Sequence, residues 1–368
     1  MNNTQKHTHE PILHITKRDS MVWWKSWLIR FIAIVAALIV SALVIVVLTK
    51  YNPIQVYSEM FKGSFGSKMK TWILLQNLAM LLCISLAVTP AFKMKFWNLG
   101  AEGQVLVGGL ATAACMFYIK DSLPTPIMIL VMFVSAVLAG IIWALIPAFF
   151  KAKWNTNESL FTLMMNYVAI QLVSFFIMLW VPSGSNVMGI INQSSEAGWL
   201  PTIFGQKYLL NILIVALVTI VMFVYLKYSK QGYEISVVGE SENTARYIGI
   251  NVKKVIIRTM VISGGICGLT GFLLVSGTNH TISKDIAGGM GFTAIMVSWL
   301  AKFNPILMVI TSFIIVFLQK GAGEIATTFR LNKSVADILT GIILFFIIGC
   351  EFFINYKINI RSKRKEGK

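Results

Sequence analysis

Glu158, Thr162 and Asn166 recur at i, i+4 and i+8 within the stretch NESLFTLMMNYVAIQ. On a helix that spacing gathers all three within roughly a quarter of the circumference. Such a polar stripe among apolar residues has two uses: lining a water-filled path, or hydrogen bonding to a neighbouring helix. Asn155, three residues before Glu158, predicts a capping box, which gives Glu158 a structural role as well.

A second polar concentration, FWNLGAEGQVLVGG at 96–109, holds Asn98, Glu102, Gln104 and four glycines between two apolar runs. Asn98 is expected to N-cap the helix that follows, with Glu102 in its first turn, where the helix dipole favours an anion. Capping and packing account for these residues; the other use is a broken or re-entrant helix beside a solute path. The functional reading therefore groups Asn98, Glu102, Gln104, Glu158, Thr162 and Asn166 along one translocation path. No nucleophile, base and orienting group occur together, so catalysis is not indicated.

Metal chemistry finds little support. His7 and His9 stand in a polar tail, and Cys83, Cys115, Cys267 and Cys350 lie inside apolar runs without a paired spacing, as packing residues do. No cofactor or metal is expected in this chain.

The elements that must position the polar stretches are membrane helices. Hydrophobic residues make up 56% of the chain, charged residues 13%, and the mean hydropathy is +0.73, far from the balance of a soluble domain. Ten apolar runs are present, and a spanning helix needs about 20 such residues. The third (104–118) and eighth (291–301) are short and follow glycine-rich polar connectors. The first, 27–48, is too long for a signal-peptide core and lacks a cleavage site, so it is expected to be an uncleaved anchor.

Ten crossings from an inside N-terminus place 22 of the 32 basic residues in inside segments, as cytoplasmic loops require. The expected organisation is a basic cytoplasmic tail (1–26), the helix 27–48, a transmembrane domain (71–356) with a cytoplasmic loop (229–255), and a second basic tail (357–368). The fold class is all-α, with both termini in the cytoplasm and the protein in a bacterial cytoplasmic membrane. The net charge of +17 reads as topology and attraction to anionic lipid, with no nucleic-acid partner implied.

An energy source is not visible in the chain. No GxxxxGK[ST] phosphate cradle occurs, and no loop is long enough for a nucleotide-binding domain. Glu102, Glu158, Asp285, Glu324, Asp337 and Glu351 stand at helix ends, which counts against an ion-coupled carrier without excluding carbonyl-held sodium. If ATP drives transport, a separate subunit binds it, with its Mg.

The cytoplasmic connection 228–258 is the one inside loop large enough to present a surface. Gly239 is expected to break the chain, ESENTARYI to form about two helical turns, and Gly249 to end them at C′. Taken alone, this loop is either a docking element or a solvated linker. In the helix that follows, Gly264, Gly268 and Gly271 share one face, a close-packing pattern.

Together these stretches resemble the integral-membrane permeases of bacterial ABC importers for simple sugars, nucleosides and, more distantly, branched-chain amino acids. The resemblance spans residues 71–348 and rests on NLGAEGQ, NESLFTLMMNY, GYEISVVGESENTARYIGI, SGGICGLTGF and GFTAIMVSWLAKFNP, in the family's order. The wording is closest to the nucleoside branch, with ribose-like sugars the alternative within the family. VSWLAKFNP departs from the pattern, which more often has small residues and a glycine in place of Ser298, Trp299 and Ala301.

The resemblance implies partners: ATP-binding subunits, a second and non-identical permease, and an extracytoplasmic solute-binding protein. It also implies that the run 27–48 is an extra N-terminal helix. By the same resemblance Gly239, Glu240, Asn243, Ala245, Arg246 and Gly249 form the ATPase-coupling loop, with Ala245 in the contact. Helices two to five and seven to ten are expected to form an inverted repeat, with the two short helices in matching positions.

Overall fold

The computed structural model describes residues 13–18, 22–49, 51–120, 122–181 and 188–360. A strand β1 (Leu13–Lys17) precedes α1 (Trp23–Thr49), α2 (Pro53–Phe65), α3 (Lys68–Lys93) and α4 (Ala101–Tyr118). Then come α5 (Thr125–Trp154), α6 (Glu158–Trp180), α7 (Leu209–Tyr228), α8 (Lys230–Glu240) and α9 (Glu242–Tyr247). The last elements are α10 (Val252–Leu274), α11 (Met290–Leu300), α12 (Pro305–Thr328), α13 (Lys333–Asn355) and a strand β2 (Tyr356–Ile360). His7, His9 and the basic tail beyond 360 lie outside the described residues.

Among the described residues, eight helices are long and apolar enough to cross a membrane. The other two of the ten apolar runs are α4, of 18 residues, and α11, of 11. These are the third and eighth runs, so each of the ten apolar runs is a helix, and eight of them have the length and hydropathy of a membrane span.

The chain divides into two units, 1–64 with 318–368, and 65–317. In the first, Arg30 of α1 donates to Glu351 of α13 at 2.7 Å, Tyr57 of α2 donates to the Leu38 carbonyl at 2.6 Å, and Ile45, Val56, Ile325 and Leu339 form a small core. The all-α expectation needs one amendment here. β1 pairs antiparallel with β2, from Leu13 opposite Ile360 to Lys17 opposite Tyr356. The pairing brings the start of α1 and the end of α13 together.

The second unit is built around α10. Small residues let α10 lie against its neighbours backbone to backbone: Gly264 faces Gly140 of α5, Gly268 faces Ala136 of α5 and Gly108 of α4, and Gly271 faces Val105 and Gly109. A Cβ at any of the three would collide with backbone atoms, so the one-face glycine pattern is close packing, as expected. In lipid no hydrophobic drive separates helix from lipid tail, and contact of this closeness supplies the dispersion energy instead.

Beyond Leu274 the helix widens into a π-turn, Val275–Asn279, and His280 takes a left-handed conformation (φ 52°). A loop covers this end. Ile191 N donates to the His280 carbonyl (2.8 Å), Leu200 N to the Ser276 carbonyl (3.1 Å), and the Trp199 ring stacks on His280 with centroids 3.8 Å apart. Burial, then the Lys207 charge, push the His280 imidazole below its ordinary pKa, partly offset by Glu196.

Candidate translocation site and candidate coupling loop

α3 ends at Lys93, Lys95 turns the chain with φ 60°, and residues 96–100 return towards the bundle as irregular backbone. Irregular backbone at membrane depth must find its hydrogen bonds from protein. Asn98, fully buried, supplies three: its Oδ1 accepts from Gly100 N (3.1 Å) and Gln104 Nε2 (3.3 Å), and its Nδ2 donates to Ser263 Oγ of α10 (3.1 Å). The cap position itself belongs to Gly100, without a side-chain bond. Asn98 is therefore not the N-cap that the sequence suggests; it stands two residues earlier and ties the turn to α10.

The stripe on α6 completes this arrangement. Leu99 N donates to Thr162 Oγ1 (3.1 Å), Asn166 Nδ2 donates to the Leu99 carbonyl (2.7 Å), and Gly103 N donates to Asn166 Oδ1 (2.8 Å). Thr162 and Asn166 are both buried. They therefore satisfy a peptide group of the turn and one of the four donors that a helix start leaves without an intrahelical partner. The two polar stretches singled out in the sequence are thus one hydrogen-bonded cluster.

Glu158 stands apart from it. Its carboxylate pairs with Lys151 at 2.9 Å, and α6 is capped by Asn157, whose side chain accepts from Leu160 N at 3.1 Å. Asn155 instead ends α5 in a left-handed conformation (φ 53°), so the expected capping box does not form. Two asparagines flank this turn, and Asn157 is the one placed to reach the first free N–H groups of α6.

Glu102 makes the longest-range contact of the cluster. Its Oε1 accepts from Gly289 N at 2.8 Å and its Oε2 from Gly291 N at 2.7 Å. The carboxylate sits in the first turn of α4 and at the start of α11, the two short helices, so two helix dipoles converge on one anion. Gly289 has φ 74°, and a Cβ on Gly291 would strike the Glu102 backbone. Residues 289–291 were missed as partners, although GGMG directly before an apolar run is itself a sequence signal.

Gln104 is buried, and its Oε1 has no partner. At the π-turn, Gln76 Nε2 donates to Thr278 Oγ1 at 2.5 Å and Asn211 Nδ2 to the same atom at 3.3 Å. This second buried polar group was also missed. Its signal is a lone Gln or Asn inside an apolar run. Trp299, where the family pattern more often has a small residue, packs its ring against Trp97 (5.6 Å) and Phe92 (6.4 Å). Among the described residues, no three His, Cys, Asp or Glu side chains gather as a metal would need.

The loop between α7 and α10, expected on the cytoplasmic side, is two helices. Gly239 does not break the chain; it lies within α8, where a Cβ would collide with the Lys93 carbonyl, so it serves close approach to α3. Ser241 separates the helices and caps α9 through Thr244 N (3.3 Å). Gly249 (φ 86°) ends α9 as expected, with Ile250 N donating to the Ala245 carbonyl at 2.9 Å, the long bond of a Schellman motif. Arg246 pairs with Glu242 along α9 (3.2 Å), and Arg258 ties α10 to Glu234 of α8 (2.9 Å).

Ala245 is fully buried, packed in one cluster with Met94, Ile235, Val238 and Val255. It presents no surface to a partner, contrary to expectation. The small side chain lets α9 lie flat on the unit. Glu240, Asn243 and Arg246 are exposed, and Tyr247, 92% exposed, and Ile248 form the tip.

Residues 71–348 match the model of a family described as the permease component of branched-chain amino acid transport systems. The chain belongs to this permease family. It is similar to a guanosine ABC transporter permease of Bacillus subtilis, 29% identical over 87% of this chain and 92% of that protein. A nucleoside ABC transporter permease of Lactococcus lactis is 26% identical over 87% and 90% of the two chains. A glucose ABC transporter permease of Haloferax volcanii is 26% identical over 96% and 95%. The permease is a multi-pass membrane protein of the ABC-transporter type.

Proposed function

We propose that this permease forms the membrane path of an ABC importer for nucleosides. The observation that carries the reading is the rigid α8–α9 pair. Its inner face is sealed to α3 and α10 through Gly239, Ala245 and the Arg258–Glu234 pair. Its tip, at Tyr247 and Ile248, is left bare. A lever fixed at one end and apolar at the other is suited to carry motion from a docked partner into the helices.

In this reading ATP and Mg bind to a separate ATP-binding subunit seated on Gly239–Gly249, and this chain has no ATPase site of its own. An extracytoplasmic protein delivers the solute, and a second, non-identical permease completes the path. Asn98, Glu102, Gln104, Glu158, Thr162 and Asn166 border it, the hydrogen-bonded cluster serving as a fixed wall beside which solute moves. Nucleosides are favoured by the names of the Bacillus and Lactococcus relatives; the Haloferax relative supports sugar as the second reading.

The test is uptake of labelled guanosine, ribose and glucose into vesicles holding the permease with its partners. Guanosine uptake that needs internal ATP and survives a protonophore is expected. Glucose or ribose uptake without guanosine uptake would move the assignment to sugars. Uptake by this chain alone, abolished by an ionophore, would replace it with an ion-coupled carrier.

A further inference from the structure

A crevice of about 350 Å³ opens where α3 and α7 end, α8 begins and α12 begins, within the range of about 300–1,000 Å³ usual for small-ligand sites. Lys93 and Lys227 face it, with Tyr233 and Ser236 of α8 adding hydroxyls, and Phe223 and Phe303 forming apolar walls. Among the described residues neither lysine has a carboxylate partner, and no acid lines the crevice. Lys227 instead rests over the Phe223 and Tyr228 rings, 5.2 and 5.4 Å from their centroids.

Position decides the ligand class. The ends of α3 and α7 and the starts of α8 and α12 line the crevice; on the proposed reading, which sets the α8–α9 pair on the cytoplasmic side, it stands at the inner membrane boundary. Above it α7 exposes Leu217, Ile220 and Val224, a continuous apolar track at helical spacing. Two ammonium groups without a carboxylate partner, with the Tyr233 hydroxyl beside them, suit a phosphate diester; the Ser236 hydroxyl already donates to the Gly232 carbonyl at 3.0 Å. Aromatic walls that continue into an apolar track suit its acyl chains.

We propose that this crevice is a binding site for an anionic phospholipid of the cytoplasmic leaflet, its phosphate between Lys93 and Lys227 and its chains along α7. The lipid touches α3, α7, α8 and the start of α12 at once. Lys93 also carries the carbonyl against which Gly239 packs, so the occupant braces the root of the α8–α9 lever, and transport depends on anionic lipid through this site.

The experiment uses the full chain, purified in mild detergent after incubation with an equal mixture of phosphatidylglycerol and phosphatidylcholine, with retained lipid counted by native mass spectrometry. The native chain should keep stoichiometric phosphatidylglycerol. Lys93→Gln with Lys227→Gln should lower that retention roughly tenfold or more, as loss of two charges at the membrane surface implies. Lys93→Arg with Lys227→Arg should restore it, which separates the site from a folding defect. Lys363→Gln with Arg364→Gln, in the basic tail, should leave it unchanged, and millimolar glycerol phosphate should not displace the lipid. Equal retention of phosphatidylcholine, full retention by the double Gln variant, equal loss in the tail variant, or displacement by glycerol phosphate would each overturn the proposal.

Discussion

Glu102 of α4 and Gly291 of α11 are joined by a 2.7 Å hydrogen bond across 189 residues of sequence, and Gly289 N donates to the second carboxylate oxygen. The two helices too short to match the other eight therefore begin at a common anion. A helix start inside a membrane leaves N–H groups without partners, and lipid offers none. One carboxylate answers that need for α11 while sitting in the favourable end of the α4 dipole.

Glu102→Gln keeps the shape but removes the charge and one acceptor. Hydrogen bonds to charged groups contribute about 1.5–3 kcal/mol, so a loss on that scale is expected, confined to the start of α11. Hydrogen exchange should quicken at residues 289–294 more than elsewhere. Gly291→Ala should be more damaging than its size suggests, because its Cβ meets the Glu102 backbone. If exchange at 289–294 is unchanged in Glu102→Gln, the carboxylate is not what orders this helix.

Asn166 separates wall from packing. Asn166→Leu leaves the Leu99 carbonyl and Gly103 N unpaired in a buried site, each costing about 1–3 kcal/mol. Uptake and thermal stability should therefore fall together. Asn166→Asp keeps the acceptor for Gly103 and loses the donor to Leu99, and should fall between. A variant that lost uptake at native stability would show that Asn166 acts on solute directly.

How far the sequence carried the structure depends on how local each interaction is. The ten apolar helices, of the thirteen described, were legible because hydropathy is set segment by segment, and the glycine face of α10 because three small residues at helical spacing have one physical use. The polar stretches at 96–109 and 157–166 were visible as anomalies, but their union was not: Asn166 meets Gly103, and Glu102 meets Gly289, through pairings that no spacing rule encodes. Local rules failed where two residues of one kind competed. Asn155 and Asn157 are both good caps, and only the left-handed end of α5 decides between them. Gly239 misled for a related reason, since glycine for close approach reads the same as glycine for a break.

The stack of Trp199 on His280 should respond to pH. Burial and Lys207 hold the folded imidazole below its ordinary value of about 6.5. The folded state then binds fewer protons than the unfolded chain as pH falls through that value. Stability contributed here is complete above about pH 6.5 and lost progressively below it. The protection of residues 191–200 against hydrogen exchange, corrected for the intrinsic slowing of exchange with falling pH, should decrease from pH 7 to pH 5, and His280→Gln should flatten that response. An unchanged profile in the variant would place the titrating group elsewhere.

The proposed coupling loop yields the sharpest contrast, because Ala245 and Tyr247 are two residues apart and face opposite ways, one buried and one exposed. Ala245 is enclosed by apolar side chains, so Ala245→Glu would bury an unpaired charge at a cost of several kcal/mol. That variant should unseat α9, with new protease sensitivity between 240 and 250 in the isolated permease, before any partner is added. Tyr247 is 92% exposed and contributes little to the fold. Tyr247→Ala should leave protease resistance unchanged and stability within about 0.5 kcal/mol of the native chain, yet reduce co-purification of the ATP-binding subunit and lower uptake. An aromatic anchor at an interface commonly accounts for 2 kcal/mol or more, or about thirtyfold in affinity. Were both variants to bind the subunit normally, the coupling surface would lie on the shorter turns at 93–103 or 151–157.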